Sequence, residues 1–362
     1  MKIVICSREW NSSTGRYARQ LVKYLEKIDN QNKYVVLLKP SDMDSWQPTN
    51  PNFSKLACPY KEFGFGEQLG LAKQIKSLQS DLVHFTMVQQ PIRYRGKVVT
   101  TMNDLTTLRF RNPDKNRVTF TTKQKVYRLV NKIVARKSAA LLTYSEFVKN
   151  DIAKFARINS RKITVTHLGA DKIVEKPEPI TELQDSSYIM YTGRPMEHKN
   201  LRRLIEAFAL LKPANPDLKL VLVGKREALY RRHERMVKKN GISGVVFTGF
   251  VSEGQLRWLY EHARAYAMPS LSEGFGLPGL EAMAHGCPVV SSNATCLPEV
   301  YGDAAHYFDP LDVGDMAAKI SEVLNDEALR SKLKAKGSQQ VKKYSWRRMA
   351  EQTLEVYKQV IG

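Results

Sequence analysis

The sequence predicts an α/β fold of two parallel, doubly wound sheets. Short β-branched apolar runs alternate with helix-period stretches from end to end, and the alternation comes as two series with a polar, proline-bearing segment between them. At 362 residues and 43% hydrophobic, the chain is long enough for two cores. The first series is "KIVIC" (2–6), "YVVLL" (34–38), "LVHF" (82–85), "KVVTT" (97–101), "ALLTY" (140–144) and "KITVT" (162–166). "DKIVEKPEPITELQDSS" (171–187) reads as a linker. The second series is "YIMYTG" (188–193), "LKLVLVG" (218–224), "GVVFTG" (244–249), "ARAYAMP" (263–269), "CPVVSS" (287–292) and "AHYFD" (305–309), with amphipathic helical patterns such as 199–212 and 312–323 between them. Two such series mean two Rossmann-like domains, 1–170 and 188–343. Ligands then bind beyond the carboxyl ends of the strands, in the cleft that two domains would form.

Composition narrows the function. The chain opens on a strand-like run rather than a basic segment followed by a long apolar one, and no window approaches eighteen consecutive apolar residues. Neither a secretory signal nor a spanning helix is expected. The four cysteines, Cys6, Cys58, Cys287 and Cys296, show no CxxC pair, which fits reduced thiols in a cytoplasmic protein without a metal site. The net charge of +21 is uneven. Residues 1–170 hold 30 Lys and Arg against 12 Asp and Glu, a net +18, whereas residues 171–362 hold 27 against 24. The first half therefore faces something anionic: nucleic acid, a membrane leaflet or a phosphorylated substrate.

The residues able to carry chemistry follow strand ends of the second series. In "YTGRPMEHKNLRRLIEAF" (191–208), a strand, a glycine turn and a helix succeed one another, with Gly193, Arg194 and Lys199 at the turn. Two cations beside a helix start suit a diphosphate, the arginine as a fork and the lysine as a point charge. Two solvated cations in a charged loop are the plain alternative. "SEGFGLPGLEAMA" (272–284) repeats the architecture. Gly274 and Gly276 allow a close backbone approach, Pro278 suits a first helical turn, and Glu273 and Glu281 bracket the glycines. Carboxylates there can accept hydrogen bonds from neighbouring sugar hydroxyls; equally, Glu281 can be a helix-start carboxylate and Glu273 a solvated loop residue.

Glu273, seven residues and Glu281, with "GFGLP" between, resemble the signature of the family 4 retaining glycosyltransferases of GT-B fold. The resemblance runs along nearly the whole chain. "GRPMEHKNLRRLIEAFALL" is similar to that family's phosphate-gripping segment. "VVFTGFVSEGQLRWLY" (245–260) is similar to the stretch lining the donor's base, which brings in Val251. "STGRYARQLVKYL" (13–25) resembles the glycine-containing loop after the first strand. "YSWRRMAEQTLEVYKQVI" resembles a C-terminal helix (344–362) that returns to the first domain.

The resemblance implies a nucleotide-diphosphate sugar as co-substrate, with mannose from GDP-mannose favoured over a UDP-sugar. The acceptor would be a glycan or lipid-linked molecule of cell-envelope polysaccharide or glycolipid synthesis. Arg194 and Lys199 would hold the diphosphate, Glu281 the ribose and Glu273 the transferred sugar, with Phe275, Gly276 and Leu277 presenting amides and Gly15 approaching from the first domain. With cations neutralising the phosphates, no metal and no other cofactor is expected. One departure stands out: where the family has His-Asp, this chain has Asn103 and Asp104, and asparagine carries no proton at neutral pH. His84 and His198 are read as structural.

The basic stretch 109–137 holds Arg109, Arg111, Lys115, Arg117, Lys123, Lys125, Arg128, Lys132, Arg136 and Lys137 against Asp114. Val126, Leu129, Val130, Ile133 and Val134 recur there at helical spacing. Such a helix either packs on the first domain with a solvated basic face, or rests peripherally on the anionic inner face of a membrane. Nucleic acid is the weaker partner, since Phe110, Phe120 and Tyr127 are irregularly placed for stacking. Two other readings share the fold: a nucleotide-sugar 2-epimerase-like isomerase, which Asn103 weakens, and a homologue that binds the nucleotide sugar without transferring it.

Overall fold

The computed structural model describes all residues except 13, 63 and 111–116, and the side chains of 117–120 also lie outside the description. Arg111, Asp114 and Lys115, and the side chains of Arg117 and Phe120, therefore lie outside the described residues. The chain forms two compact units, one of residues 1–108, 116–168 and 345–362, the other of 109–115 and 169–344.

The first unit runs β1 (Lys2–Cys6), α1 (Gly15–Ile28), β2 (Lys33–Leu38), β3 (Phe53–Ala57), α2 (Ala72–Ser77), β4 (Leu82–Phe85), β5 (Val98–Thr101), α3 (Thr106–Arg109), α4 (Arg117–Lys137), β6 (Ala140–Thr143), α5 (Glu146–Ala156) and β7 (Ile163–Val165). Its seven strands lie in the order β3-β2-β1-β4-β5-β6-β7, with β1 parallel to both neighbours, Val4 facing Val35 on one side and Val83 on the other. Strands such as "KIVIC" are apolar throughout because helices cover both faces of a parallel sheet. β3 escapes the sequence pattern for the opposite reason. It is an edge strand, "FSKLA", with alternate residues exposed.

The second unit runs β8 (Tyr188–Thr192), α6 (Leu201–Leu211), β9 (Lys219–Val223), α7 (Ala228–Lys239), β10 (Val245–Gly249), α8 (Glu253–His262), β11 (Ala265–Met268), α9 (Leu277–Ala284), β12 (Val289–Ser292), α10 (Leu297–Tyr301), β13 (Ala305–Phe308), α11 (Val313–Asn325) and α12 (Glu327–Val341). Its six strands lie in the order β10-β9-β8-β11-β12-β13. The chain order reverses direction between β8 and β11, so loops leaving these two adjacent strands diverge and open a ligand crevice at their carboxyl ends.

α13 (Trp346–Ile361) belongs to the first unit and packs on α1. Ser345 caps it by accepting the Arg348 N–H, and Trp346, Met349, Ala350, Thr353, Val356 and Tyr357 bury one face at helical spacing. Tyr357 is pinned by His84, whose Nδ1 lies 2.6 Å from its hydroxyl while Nε2 lies 2.8 Å from Thr101 Oγ1. Burial pushes that histidine's pKa down to about 3, so it is a neutral core residue, in line with its structural reading.

The apolar stripe expected along α4 is only half packed. Val134 is buried and Val130 and Ile133 are half-buried, but Val126 and Leu129 are 55% and 59% exposed. The helix packs on α5 and β5, and among the described residues Val126 and Leu129 stay out of that packing. No described helix is long and apolar enough to cross a membrane.

Candidate functional site

At the carboxyl end of β8, Gly193 has φ of 145°, and a Cβ there would come within 2.9 Å of the Tyr191 hydroxyl. Beside it, Gly224 ends β9 so closely that a Cβ would lie 2.6 Å from the Gly193 carbonyl oxygen. The Tyr230 hydroxyl sits 2.9 Å from the carbonyl oxygens of both Gly193 and Val223 and ties the two strand ends together. Sequence reasoning finds Gly193 but passes over Gly224, which reads as the tail of an apolar run.

The turn after Gly193 places the two cations differently. Arg194 is mostly exposed, with Nη2 3.3 Å from Glu227 Oε2, a long contact in water that contributes little energy. Lys199 closes a 3₁₀ turn, Glu197–Lys199. Asn200 follows in the left-handed region at φ 58° and starts α6. Its buried amide donates to the carbonyls of Pro269 at 3.0 Å and Pro310 at 2.7 Å, stapling the turn to the ends of β11 and β13. Lys199 is thereby held where its Nζ donates to Glu273 Oε1 at 2.6 Å, their side chains 21% and 10% exposed.

The loop after β11 is equally fixed. Leu271 N–H donates to the His198 carbonyl at 2.7 Å, and Glu273 N–H to Thr295 Oγ1 at 3.1 Å. Gly276, at φ 83°, caps α9, and Pro278 falls in its first turn. Both Gly276 and Gly279 sit against Tyr301: a Cβ on either would lie 2.6 Å and 2.3 Å from its hydroxyl, which donates to the Gly276 carbonyl at 2.5 Å. Gly276 and Gly279 of "GFGLPG" thus make room for a tyrosine from α10, a packing reason that local sequence does not reveal. Phe275 is buried, its ring edge-on to Tyr344 at 5.4 Å. Gly274 is buried and Leu277, the first residue of α9, half-buried.

Glu281, half-buried, is the fifth residue of α9. It and Glu273 act on one buried phenol. Tyr266 is held well above its usual pKa, first by burial and then by the negative charge of Glu281 and Glu273, and its hydroxyl donates to the Thr192 carbonyl at 3.3 Å. The same neighbourhood reaches His198, pushed down to about 4 by burial and by Lys199, with Glu273 opposing. Tyr266 and Asn200 were missed in the sequence, one hidden in a strand and one in a helix start. Val251, half-buried, stands between β10 and α8, just ahead of a capping box in which Ser252 and Gln255 satisfy each other's backbone N–H groups.

The first-unit residues have local partners. Gly15 is needed for packing: a Cβ there would fall 2.0 Å from the Glu9 carbonyl oxygen. Asn103 Oδ1 accepts from the Tyr144 hydroxyl at 2.9 Å, and Asp104 Oδ1 accepts from Thr106 N–H at 2.8 Å at the start of α3.

In the second unit, then, a lysine and a carboxylate meet at a strand reversal, a second carboxylate shares their phenolic floor, and a helix begins beside them. Such a set offers positive charge to an anion and acceptors to hydroxyls. Residues 173–340 match the family model of group 1 glycosyl transferases, and the two-sheet architecture is the GT-B fold. Mannosyltransferases are among the relatives that resemble this chain. It is 37% identical over 232 residues to the O-antigen chain mannosyltransferase B of Escherichia coli, covering 60% of each chain. It is 32% identical over 238 residues to the MMP alpha-(1->4)-mannosyltransferase of Mycolicibacterium hassiacum, covering 64% of this chain and 57% of that one. The matched region spans about 60% of the length of these curated relatives. Sucrose-phosphate synthase from Thermosynechococcus elongatus has the same fold, with a TM-score of 0.80 at 18% identity over 99% of both chains.

Proposed function

We propose that this chain is a retaining, metal-independent mannosyltransferase that uses GDP-mannose and delivers the sugar to a glycan or lipid-linked acceptor of the cell envelope. The Lys199–Glu273 pair at the start of the "GFGLPGLE" loop carries this reading. Before donor binds, the two charges satisfy each other. An incoming diphosphate takes the lysine from the glutamate, and Glu273 is released to accept a hydroxyl of the transferred sugar. Arg194 leaves its weak contact with Glu227 and closes on the phosphate oxygens as a fork, while Glu281 takes the ribose hydroxyls. Val251 and the amides of Gly274, Phe275, Gly276 and Leu277 complete the donor side.

In the transfer step the bond from the anomeric carbon to the phosphate oxygen breaks. A bond to the acceptor oxygen forms on the same face, and the acceptor's proton passes to the departing phosphate oxygen. Lys199 and Arg194 stabilise the charge that grows on the leaving group, the role a divalent metal would otherwise fill. Asn103 and Asp104 contribute positioning at most, since Asn103 cannot shuttle a proton. The mannose preference is supported by the mannosyltransferases among the relatives, which also disfavour the isomerase reading.

The basic first half and the exposed Val126 and Leu129 on α4 suit peripheral attachment to an anionic leaflet on the cytoplasmic side. Not all of that helix's cations face outward, for Arg128 and Lys132 lie over the Phe155 ring of α5.

A thermal-shift panel of GDP, UDP, ADP and their sugars tests the donor, because a ligand that binds only folded protein raises its stability. GDP and GDP-mannose should give the saturable shift. Transfer to a mannosyl acceptor should survive chelation by EDTA and yield the α-linkage by NMR. A shift from UDP-sugars alone, or activity abolished by EDTA and restored by metal, contradicts the reading.

A further inference from the structure

The amino end of the first unit's sheet carries a basic cavity that plays no part in the donor reading. Its volume is about 630 Å³, and it is lined by Arg93, Arg95 and Lys137 together with Ile92, Tyr94 and Val98. The loop from β4 to β5 builds it, and hydrogen bonds hold that loop rigid. Tyr94 N–H donates to the Pro91 carbonyl at 3.3 Å, Ile92 N–H to Gln68 Oε1 at 2.9 Å, and Val83 N–H to the Lys97 carbonyl at 3.0 Å. The Tyr94 ring folds over Gly96 so tightly that a Cβ would lie 2.3 Å from its hydroxyl. From the other side, the last residue of α4, Lys137, donates its Nζ to the same Pro91 carbonyl at 2.7 Å.

The charges in this cavity are one-sided. No carboxylate lines it, and no ion pair to Arg93, Arg95 or Lys137 is present among the described residues. Burial without a counter-charge pushes the Lys137 ammonium down to about 8. Elsewhere on this unit cations reach carboxylates, as Lys39 reaches Glu9 and Glu62. A concave site with three cations and one apolar wall lacks an anion with an organic body.

We propose that this cavity is a phosphate-ester site. The guanidinium forks of Arg93 and Arg95 take the phosphate oxygens, and Lys137 adds the N–H groups it does not spend on Pro91. Ile92, Val98 and the Tyr94 ring hold the organic part. The ester can arrive as a soluble phosphate compound or as the headgroup of an anionic lipid. The site belongs to the first unit and shares no residue with the candidate donor site, so either assignment can fail alone.

The test uses the full chain, titrated calorimetrically at constant ionic strength with glycerol 3-phosphate. In a second arm it is sedimented with phosphatidylcholine vesicles with and without phosphatidylglycerol. Arg93→Gln/Arg95→Gln removes two exposed forks. Lys123→Gln/Lys125→Gln removes the same charge from α4. Circular dichroism and GDP binding check that both variants keep the fold. We expect saturable binding of glycerol 3-phosphate, of the vesicles or of both, weakened about tenfold or more by the Arg93/Arg95 change and retained by the α4 change. Binding of glycerol 3-phosphate identifies the soluble source, and binding of vesicles alone identifies the headgroup. The proposal is overturned if neither probe saturates, or if the two double variants weaken binding equally, which would reduce the effect to bulk charge.

Discussion

The two sheets follow one strand order, β3-β2-β1-β4-β5-β6 and β10-β9-β8-β11-β12-β13, with β7 added to the first, and so each has a reversal point beside its first strand. What fills that point differs. After β1 stands Arg8, buried with Glu67 at 4% and 2% exposure, its Nη2 2.5 Å from Glu67 Oε1 and 2.7 Å from the Gln89 carbonyl in the loop after β4. After β8 stands Lys199, whose pairing with Glu273 from the loop after β11 still touches water. One ion pair spans its crevice sealed from water; the other, less buried, lies where the donor diphosphate is proposed to bind. The first unit also holds nearly all the net charge, yet the donor grip is assigned to the near-neutral second. Local geometry, not charge count, is the ground for the proposed donor site.

The largest effect should come from breaking the Arg8–Glu67 pair. Glu67→Ala leaves the Arg8 charge buried without its partner, at a cost of about 3–5 kcal/mol. Urea unfolding should show that loss in the first unit. An unchanged midpoint would mean the two crevices are equally open to water.

Lys199→Ala should instead spare most of the stability and cut kcat for transfer by about 10²–10³, the range for removing one preorganised charge-stabilising donor. Steady-state kinetics with a folded variant checks this. A milder loss is expected from Glu281→Ala, about tenfold in affinity for the nucleoside diphosphate, as for one or two hydrogen bonds to a charged acceptor. Calorimetry reads that change directly.

The smallest effect is shared by both units. His84 and His198 have folded pKa values of about 3 and about 4, below the ordinary 6.5. The unfolded chain therefore takes up protons first as the pH falls. Their contribution to stability is complete above about pH 6.5 and declines below it, by up to about 1.4 kcal/mol per unit per group, until the folded forms also protonate. His84→Gln should flatten the acid slope measured between pH 6 and 4; an unaltered slope would show that His84 is not held neutral.

Both sheets were legible because buried parallel strands are apolar along their whole length. β3 was not, since an edge strand whose middle is the polar Ser54 and Lys55 looks like loop. Arg194, Lys199, Glu273 and Glu281 stood out as charges beside glycines, but the sequence could not say that Lys199 meets Glu273 while Arg194 reaches out to Glu227. Their positions rest on Asn200, Tyr266 and Tyr301, whose partners lie on other strands and helices. Gly276 looked like a ligand-approach glycine, and it also makes room, with Gly279, for Tyr301. The stripe on α4 left its partner open because periodicity reports an apolar face, not what covers it.

A crystal structure with nucleoside diphosphate bound tests the central claim most directly. Phosphate oxygens should lie within about 3 Å of Lys199 Nζ and of the Arg194 guanidinium. The lysine should have parted from Glu273, and the ribose should rest on Glu281. A diphosphate seated elsewhere, with the 2.6 Å Lys199–Glu273 contact undisturbed, would contradict it.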